Sequence, residues 1–253
     1  MIVPFVLALG ISVFPFTQQG HASTTGRLAV LIRDWEKAEA QVKDVRKVVR
    51  QTYVDRAWRT EEVFQVVVLG KKPNSFRVEK CDVRGKPISL FVNGESVVRS
   101  FDYQTKTQDT YDQRTHSPSA PWVPRLADGS LWPMLQGFYL GFDVNQFAKA
   151  YELGLAGEDE FFAYITVKPR KSSKESPKRS WLQSLFEFHF QTMQIALRKS
   201  DFQPREIRWI EPSGNFYRYE YLEIKTNLNP PVTEQMIEAD LPSGWKKTGP
   251  KQP

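Results

Sequence analysis

A single cysteine, Cys81, and three histidines, His21, His116 and His189, stand among 253 residues. One thiol closes no disulfide within the chain. So few soft ligands, at spacings that fit no motif, make no Cys/His metal site. A nucleophilic thiolate needs an imidazole beside it. Cys81, however, sits at the end of a strand pattern, His116 falls in a polar loop, and His189 lies within the aromatic run Phe186-Glu187-Phe188-His189-Phe190. No Gly-x-Ser-x-Gly elbow is present, and Gly70-Lys71-Lys72-Pro73-Asn74-Ser75 lacks the second glycine of a phosphate loop. The visible carboxylate clusters, Glu61-Glu62 and Glu158-Asp159-Glu160, border strands at turns, where solvated carboxylates are ordinary. A glycosidase pair meets only in space, so an envelope hydrolase remains a third reading that requires two carboxylates facing one another in a cleft. The residues predict no enzymatic activity, no cofactor and no metal.

What the sequence does supply is apolar surface. Aromatics make up 13% of the chain, and Phe64, Phe76, Phe91, Phe101, Trp132, Phe138, Phe161, Phe186, Phe188, Phe190, Trp209 and Phe216 are spread along it. Two arrangements use these rings equally well. In a closed sandwich they fill a core. In a curled sheet with a helical cover they line a cavity for an apolar ligand.

The elements that must position them are mostly strands. Residues 24–43 predict a helix, capped by Thr24 or Thr25, with Leu28, Leu31, Ile32, Trp35 and Ala38 on one face. Strand patterns follow at 45–54, 62–69, 75–82, 88–92, 95–103 and 105–113, joined by turns such as Lys71-Lys72-Pro73-Asn74 and Asn93-Gly94. Consecutive strands on tight turns are antiparallel. Residues 129–151 are crowded with apolar side chains and predict two short helices, broken near Gly141, with Asp143 capping the second. Further strands are expected at 151–155, 160–168, 186–198, 203–211 and 215–226, with Gly157-Glu158-Asp159 as a turn and an irregular end from Asn227. So many twisted strands tend to curl. The concave side then needs a cover, and residues 129–151 are the internal segment apolar enough to give one.

Residues 1–16 carry no charged side chain and are too short for a comfortable membrane-spanning helix. Gly20 and Ala22, two apart, follow the small-residue pattern that a signal peptidase cuts behind. The expected organisation is a signal peptide over 1–22, one domain over 23–247 and a disordered tail over 248–253. Ser23, with no cysteine near it, gives no lipid anchor, so an exported, soluble chain is expected. Its formal charge of +6 then faces membrane surfaces or acidic polymers rather than nucleic acid. The basic loop that contains Lys171 and Lys178 is a candidate for transient contact with an anionic membrane.

The order of these elements resembles the outer-membrane lipoprotein carrier superfamily, the LolA/LolB-like fold, over residues 28–247. The marks are an N-terminal helix followed by a long strand, Lys71-Lys72-Pro73-Asn74-Ser75-Phe76-Arg77-Val78, Leu90-Phe91-Val92-Asn93-Gly94-Glu95, Trp132-Pro133-Met134-Leu135 where the family has its lid helices, and Leu241-Pro242-Ser243-Gly244-Trp245 at the end. The resemblance is to an uncharacterised secreted branch. It implies mainly antiparallel β structure (α+β): a curled, incomplete β-barrel covered by short helices, with an apolar cavity for acyl chains. Carriers have an arginine before the Pro-Asn turn that contributes at the cavity mouth. Lys72 stands there in this chain, keeping the charge and losing the bidentate fork. The expected function is a soluble, monomeric periplasmic protein that holds lipid acyl chains or lipoproteins under a helical lid. The expected ligand-binding residues are Phe64, Val66, Val68, Lys72, Phe76, Phe91, Trp132, Leu135, Phe138, Phe161 and Phe188, with Gly137 and Gly141 as hinges. The alternative is an envelope sensor or scaffold with a filled core that acts through protein–protein contacts.

Overall fold

The computed structural model describes residues 21–73, 75–94, 97–112, 137–138, 140–170, 190–240 and 242–248. Helix α1 (His21–Ala40) leads into β1 (Asp44–Asp55), β2 (Thr60–Lys71), β3 (Ser75–Asp82), β4 (Pro87–Asn93), β5 (Val97–Asp102) and β6 (Thr107–Asp112). After the short helix α2 (Val144–Ala150) come β7 (Tyr151–Glu158), β8 (Phe162–Pro169), β9 (Thr192–Arg198), β10 (Pro204–Ile210) and β11 (Phe216–Thr226). Helix α3 (Glu234–Ile237) and β12 (Lys246–Thr248) complete the described chain.

All twelve strands form one sheet, in the order β12-β6-β5-β4-β3-β2-β1-β11-β10-β9-β8-β7. The two end strands do not pair with each other, so the sheet is an open, curled half-barrel and not a closed one. Each half is a run of hairpins. They meet at β1, which pairs antiparallel with β2 from Asp44↔Lys71 to Asp55↔Thr60 and with β11 from Val45↔Thr226 to Val54↔Phe216. A bulge between Val48 and Val49 shifts the β11 register. Among the described strands, only β12 runs parallel to its neighbour, β6.

Successive strand residues point to opposite faces, and the two faces of this sheet do different things. The concave face carries Val49, Val66, Val68, Phe76, Val78, Ile165, Val167, Met193, Ile195, Leu197, Ile207 and Trp209 in one buried cluster. Helix α1, residue 138, residues 140–142 and α2 cover it, contributing Trp35, Phe138, Leu140, Phe142, Val144 and Phe147. Asp143 caps α2 as its position predicts, its carboxylate accepting from the Gln146 N–H.

On the opposite face of β4 and β5 a second cluster forms from Leu90, Val92 and Phe101 with Val232 and Ile237, and Trp245 packs against it. The irregular end expected after Asn227 is therefore corrected. It folds over the convex side, contains α3, and adds β12 to the sheet edge. The physical reason is visible in Leu90-Phe91-Val92. Three consecutive apolar residues in one strand cannot all be buried unless both faces are covered. Helix α1 runs from His21, so Thr24 and Thr25 lie inside it and do not cap it. Gly157 and Glu158 lie within β7, and the turn into β8 begins at Asp159.

The start of the C-terminal segment is tied to the start of β1 by buried polar contacts. The buried Asp44 carboxylate accepts from the Leu228 N–H at 2.7 Å and the Val232 N–H at 3.1 Å. Asn227 completes the tie. Its side-chain oxygen accepts from the Lys43 N–H at 2.8 Å, and its amide donates to the Gln41 carbonyl at 3.0 Å. Asp44→Ala strands both N–H groups that the carboxylate satisfies. It is expected to lower folding stability by about 2–4 kcal/mol in denaturant titrations, with Asp44→Asn, which keeps one acceptor, in between.

Candidate functional site

The concave wall is a candidate site because its rings form a slot. Residues 217, 219 and 221 of β11 alternate inward beside Trp209 of β10. Trp209 stacks on Tyr217 at 4.7 Å and on Tyr219 at 5.0 Å between ring centroids. Tyr217 meets Tyr53 of β1 at 4.6 Å. Phe138 lies flat against this surface, 5.4 Å from Trp209 and 5.1 Å from Tyr219, at interplanar angles of 15° and 7°. Offset stacking of this kind adds about 0.5–1.5 kcal/mol per pair beyond area burial.

The cover above the slot is held by its own rings. Trp35 of α1 is wholly buried. It contacts Phe142 edge-on at 5.0 Å and Phe147 at 6.2 Å, and those two rings lie 4.8 Å apart. Leu140 presses against Gly70 of β2, where a Cβ would come within 2.4 Å of it. Gly141 has φ +111°, and a Cβ there would meet the Glu39 carboxylate at 2.3 Å. A side chain at Gly70 would press on Leu140 of the cover, and one at Gly141 would press on α1.

Beneath this cover lie buried charges. Lys47 of β1 sits on the inward register between Val45 and Val49 and is 1% exposed. Its ammonium donates to the Gly137 carbonyl at 3.3 Å and the Phe138 carbonyl at 3.2 Å, and stands 5.6 Å from the face of the Tyr221 ring. Glu39, near the end of α1, is 2% exposed. Lys72 donates to the Glu39 carbonyl at 2.7 Å and to its carboxylate at 3.4 Å. Burial raises the Glu39 pKa, opposed by Lys47 and Lys72. Burial lowers the Lys47 pKa to about 8, opposed by Glu39 and assisted by Lys72.

The structure brings many of the expected binding residues together. Val66, Val68, Phe76 and Phe138 are buried in the concave cluster, and Phe91 packs on it through Phe76 at 5.7 Å. Lys72 is at the edge of the cover, on the end of α1. Phe64 lies further along β2, half-buried, with the Lys80 ammonium 3.5 Å from its ring centroid. Phe161 is a correction. It lies in the turn before β8, 62% exposed, and has no place on the concave wall. The turn around Asp159, whose carboxylate accepts from the Phe161 and Phe162 N–H groups, holds it out of the strand alternation. Trp132, Leu135 and Phe188, and the loop with Lys171 and Lys178, lie outside the described residues. Gly137 is packed under the Phe142 ring.

Sequence reasoning missed Lys47, Glu39, Tyr217 and Tyr219. The signals were there. Lys47 occupies the inward position of a Val-x-Lys-x-Val alternation, and Glu39 continues the i, i+4 stripe of Leu31 and Trp35. Among the described residues, no group of three or more His, Cys, Asp or Glu is placed to hold a metal ion.

An open, curled antiparallel sheet with helices across its concave side is the architecture that the resemblance to the LolA/LolB-like fold implies. No family model matches the chain, and no curated protein matches it. Among solved structures, the chain is similar to an uncharacterized conserved protein from Thermus thermophilus. That likeness has 14% identity and a TM-score of 0.50, and covers 88% of this chain and 99% of that one. It shows a shared fold. A LolA superfamily protein from Nitrosomonas europaea matches at 10% identity over 83% of this chain and 97% of that chain, with a TM-score of 0.38. MucB in the Pseudomonas aeruginosa MucA/MucB complex matches at 14% identity and a TM-score of 0.42, over 85% of this chain. The match spans 61% of that chain.

The buried ammonium makes a pH prediction. The folded chain releases the Lys47 proton near pH 8, whereas the unfolded chain keeps it to about pH 10.4. Between these values the unfolded state binds more protons, so the Lys47 contribution makes stability rise with pH. Denaturant midpoints for wild type and Lys47→Met, taken from about pH 7 to 10.5 to span both values, are expected to show this rise in wild type relative to the variant. Parallel curves would contradict it.

Proposed function

We propose that this chain binds acyl chains, of lipids or of lipoproteins, on the concave face of the half-barrel, as a soluble periplasmic binding protein and not as an enzyme. The observation that carries the reading is the slot around Phe138. A flat apolar side chain of the cover occupies a surface built from Trp209, Tyr217 and Tyr219. An acyl chain fits the same surface once Phe138 leaves it. Val66, Val68, Phe76 and Phe91 extend the apolar wall across β2, β3 and β4.

The energetics suit a carrier or a reversible binder. Burying a chain yields about 0.8 kcal/mol per methylene, so an apolar face of this kind competes with a membrane. The rings already in place must be displaced first, which lowers net affinity and permits release. Lys72, Glu39 and Lys47 fasten the cover through hydrogen bonds to its backbone and side chains, and such bonds exchange for others more readily than a packed core rearranges. No helix among the described residues is long and apolar enough to cross a membrane.

Incubation with bacterial membrane lipids, repurification and mass spectrometry is expected to find bound acyl lipid. Phe138→Ala vacates the slot and is expected to raise binding of a fluorescent apolar probe such as N-phenyl-1-naphthylamine several-fold. No bound lipid in the wild type, and no change in probe binding in the variant, would overturn the reading.

A further inference from the structure

We propose that Lys47 is a receptor for the carboxylate of a single-chain fatty acid, and that Gly137 and Phe138 hold the place which that fatty acid takes. The inference rests on the acyl-binding reading and names the ligand class more closely.

Lys47 projects from the central strand into the concave interior and is 1% exposed. Its two hydrogen-bond acceptors are neutral carbonyls, and both belong to the cover, on Gly137 and Phe138. No carboxylate among the described residues lies within ion-pair distance of it. Glu39 is the acidic group whose charge acts on it, from beyond ion-pair distance, and the Glu39 carboxylate is in contact with the Lys72 ammonium at 3.4 Å. Lys47 and Lys72 thus share this one carboxylate, and Lys72 is the one in contact with it. A buried ammonium with no counter-ion in contact is costly, and a charged acceptor binds it about twice as strongly as a neutral one.

Phe138 shows what the ligand must look like. Its ring lies in the aromatic slot while its own carbonyl meets Lys47. A group that displaces it must therefore offer an apolar body joined directly to an acceptor oxygen. When the cover moves, Lys47 loses two acceptors at once. An ester carbonyl would return one neutral acceptor. A carboxylate returns two oxygens and places a negative charge in contact with the ammonium. A phosphodiester head would also bring its second polar substituent into an interior walled by Tyr221, Val45 and Val49. The chemistry favours a free fatty acid.

The test compares cis-parinaric acid with its methyl ester, titrated by fluorescence near neutral pH against the full chain. Wild type is expected to bind the acid about tenfold more tightly, the worth of one charge-assisted hydrogen bond. Lys47→Met is expected to abolish the difference between acid and ester, with both affinities free to shift together as the cover loosens, while Lys47→Arg and Lys72→Met keep the preference. Thermal unfolding checks that each variant is folded, and the acid–ester comparison in wild type needs no variant. Equal binding of acid and ester by wild type overturns the inference while leaving the acyl-binding reading intact, as does a preference that survives Lys47→Met or disappears in Lys72→Met. Failure of both probes to bind overturns the acyl-binding reading, and the inference with it.

Discussion

A sheet of twelve strands that curls without closing creates a large apolar concave wall, and the rest of this molecule is arranged around covering it. Closing the barrel would have removed the free edges and sealed the interior with strands alone. Here the end strands β7 and β12 do not meet, so the cover has to come from helices. Helix α1 lays Leu31 and Trp35 on the wall, and Leu140, Phe142, Val144 and Phe147 fill the remaining space. Strands are held to the sheet by ladders of hydrogen bonds, whereas this cover is held by ring contacts and a few polar ties. The two parts of the core therefore differ in how readily they separate.

The buried charges sit at that boundary. Replacing a buried ionic group with apolar residues of similar size is often neutral or stabilising, so Lys47 and Glu39 are poorly explained as a means of raising stability. They are better explained by what they touch. Lys47 reaches from the sheet to the carbonyls of residues 137 and 138, and Lys72 reaches from the β2–β3 turn to Glu39 at the end of α1. Each contact joins the sheet to its cover. Directional bonds of this sort fix where the cover sits, which ring packing alone does less well.

Much of the fold was legible in the sequence because its strands alternate cleanly and its turns are marked. Ser75–Asp82 falls where the alternation of Phe76 and Val78 places it, and Asp143 caps α2 as its spacing predicts. The convex cluster was less legible, since α3 is four residues long and β12 three. Elements so short carry almost no periodic signal, and only Leu90-Phe91-Val92 hinted that something must lie over the second face. In the site, apolar wall residues such as Val66, Val68 and Phe76 could be read from their register. Phe161 could not, because a side-chain cap at Asp159 overrides the alternation. Lys47 and Glu39 were hidden by the habit of assigning charges to solvent, although their positions on the inward stripes argued otherwise.

The seam at β1 carries a consequence for how the chain assembles. Its partners there are β2, the next strand in sequence, and β11, whose pairing joins Val45 to Thr226. Hairpins on either side can form as soon as they are made, but the two halves cannot be joined until residue 226 has left the ribosome. Asp44 then waits for the N–H groups of Leu228 and Val232. Contacts so distant along the chain come with a large loop-closure entropy and a slow search. A nascent chain of this topology passes most of its synthesis without a finished core, which is the state in which a polypeptide is most easily threaded through a narrow pore.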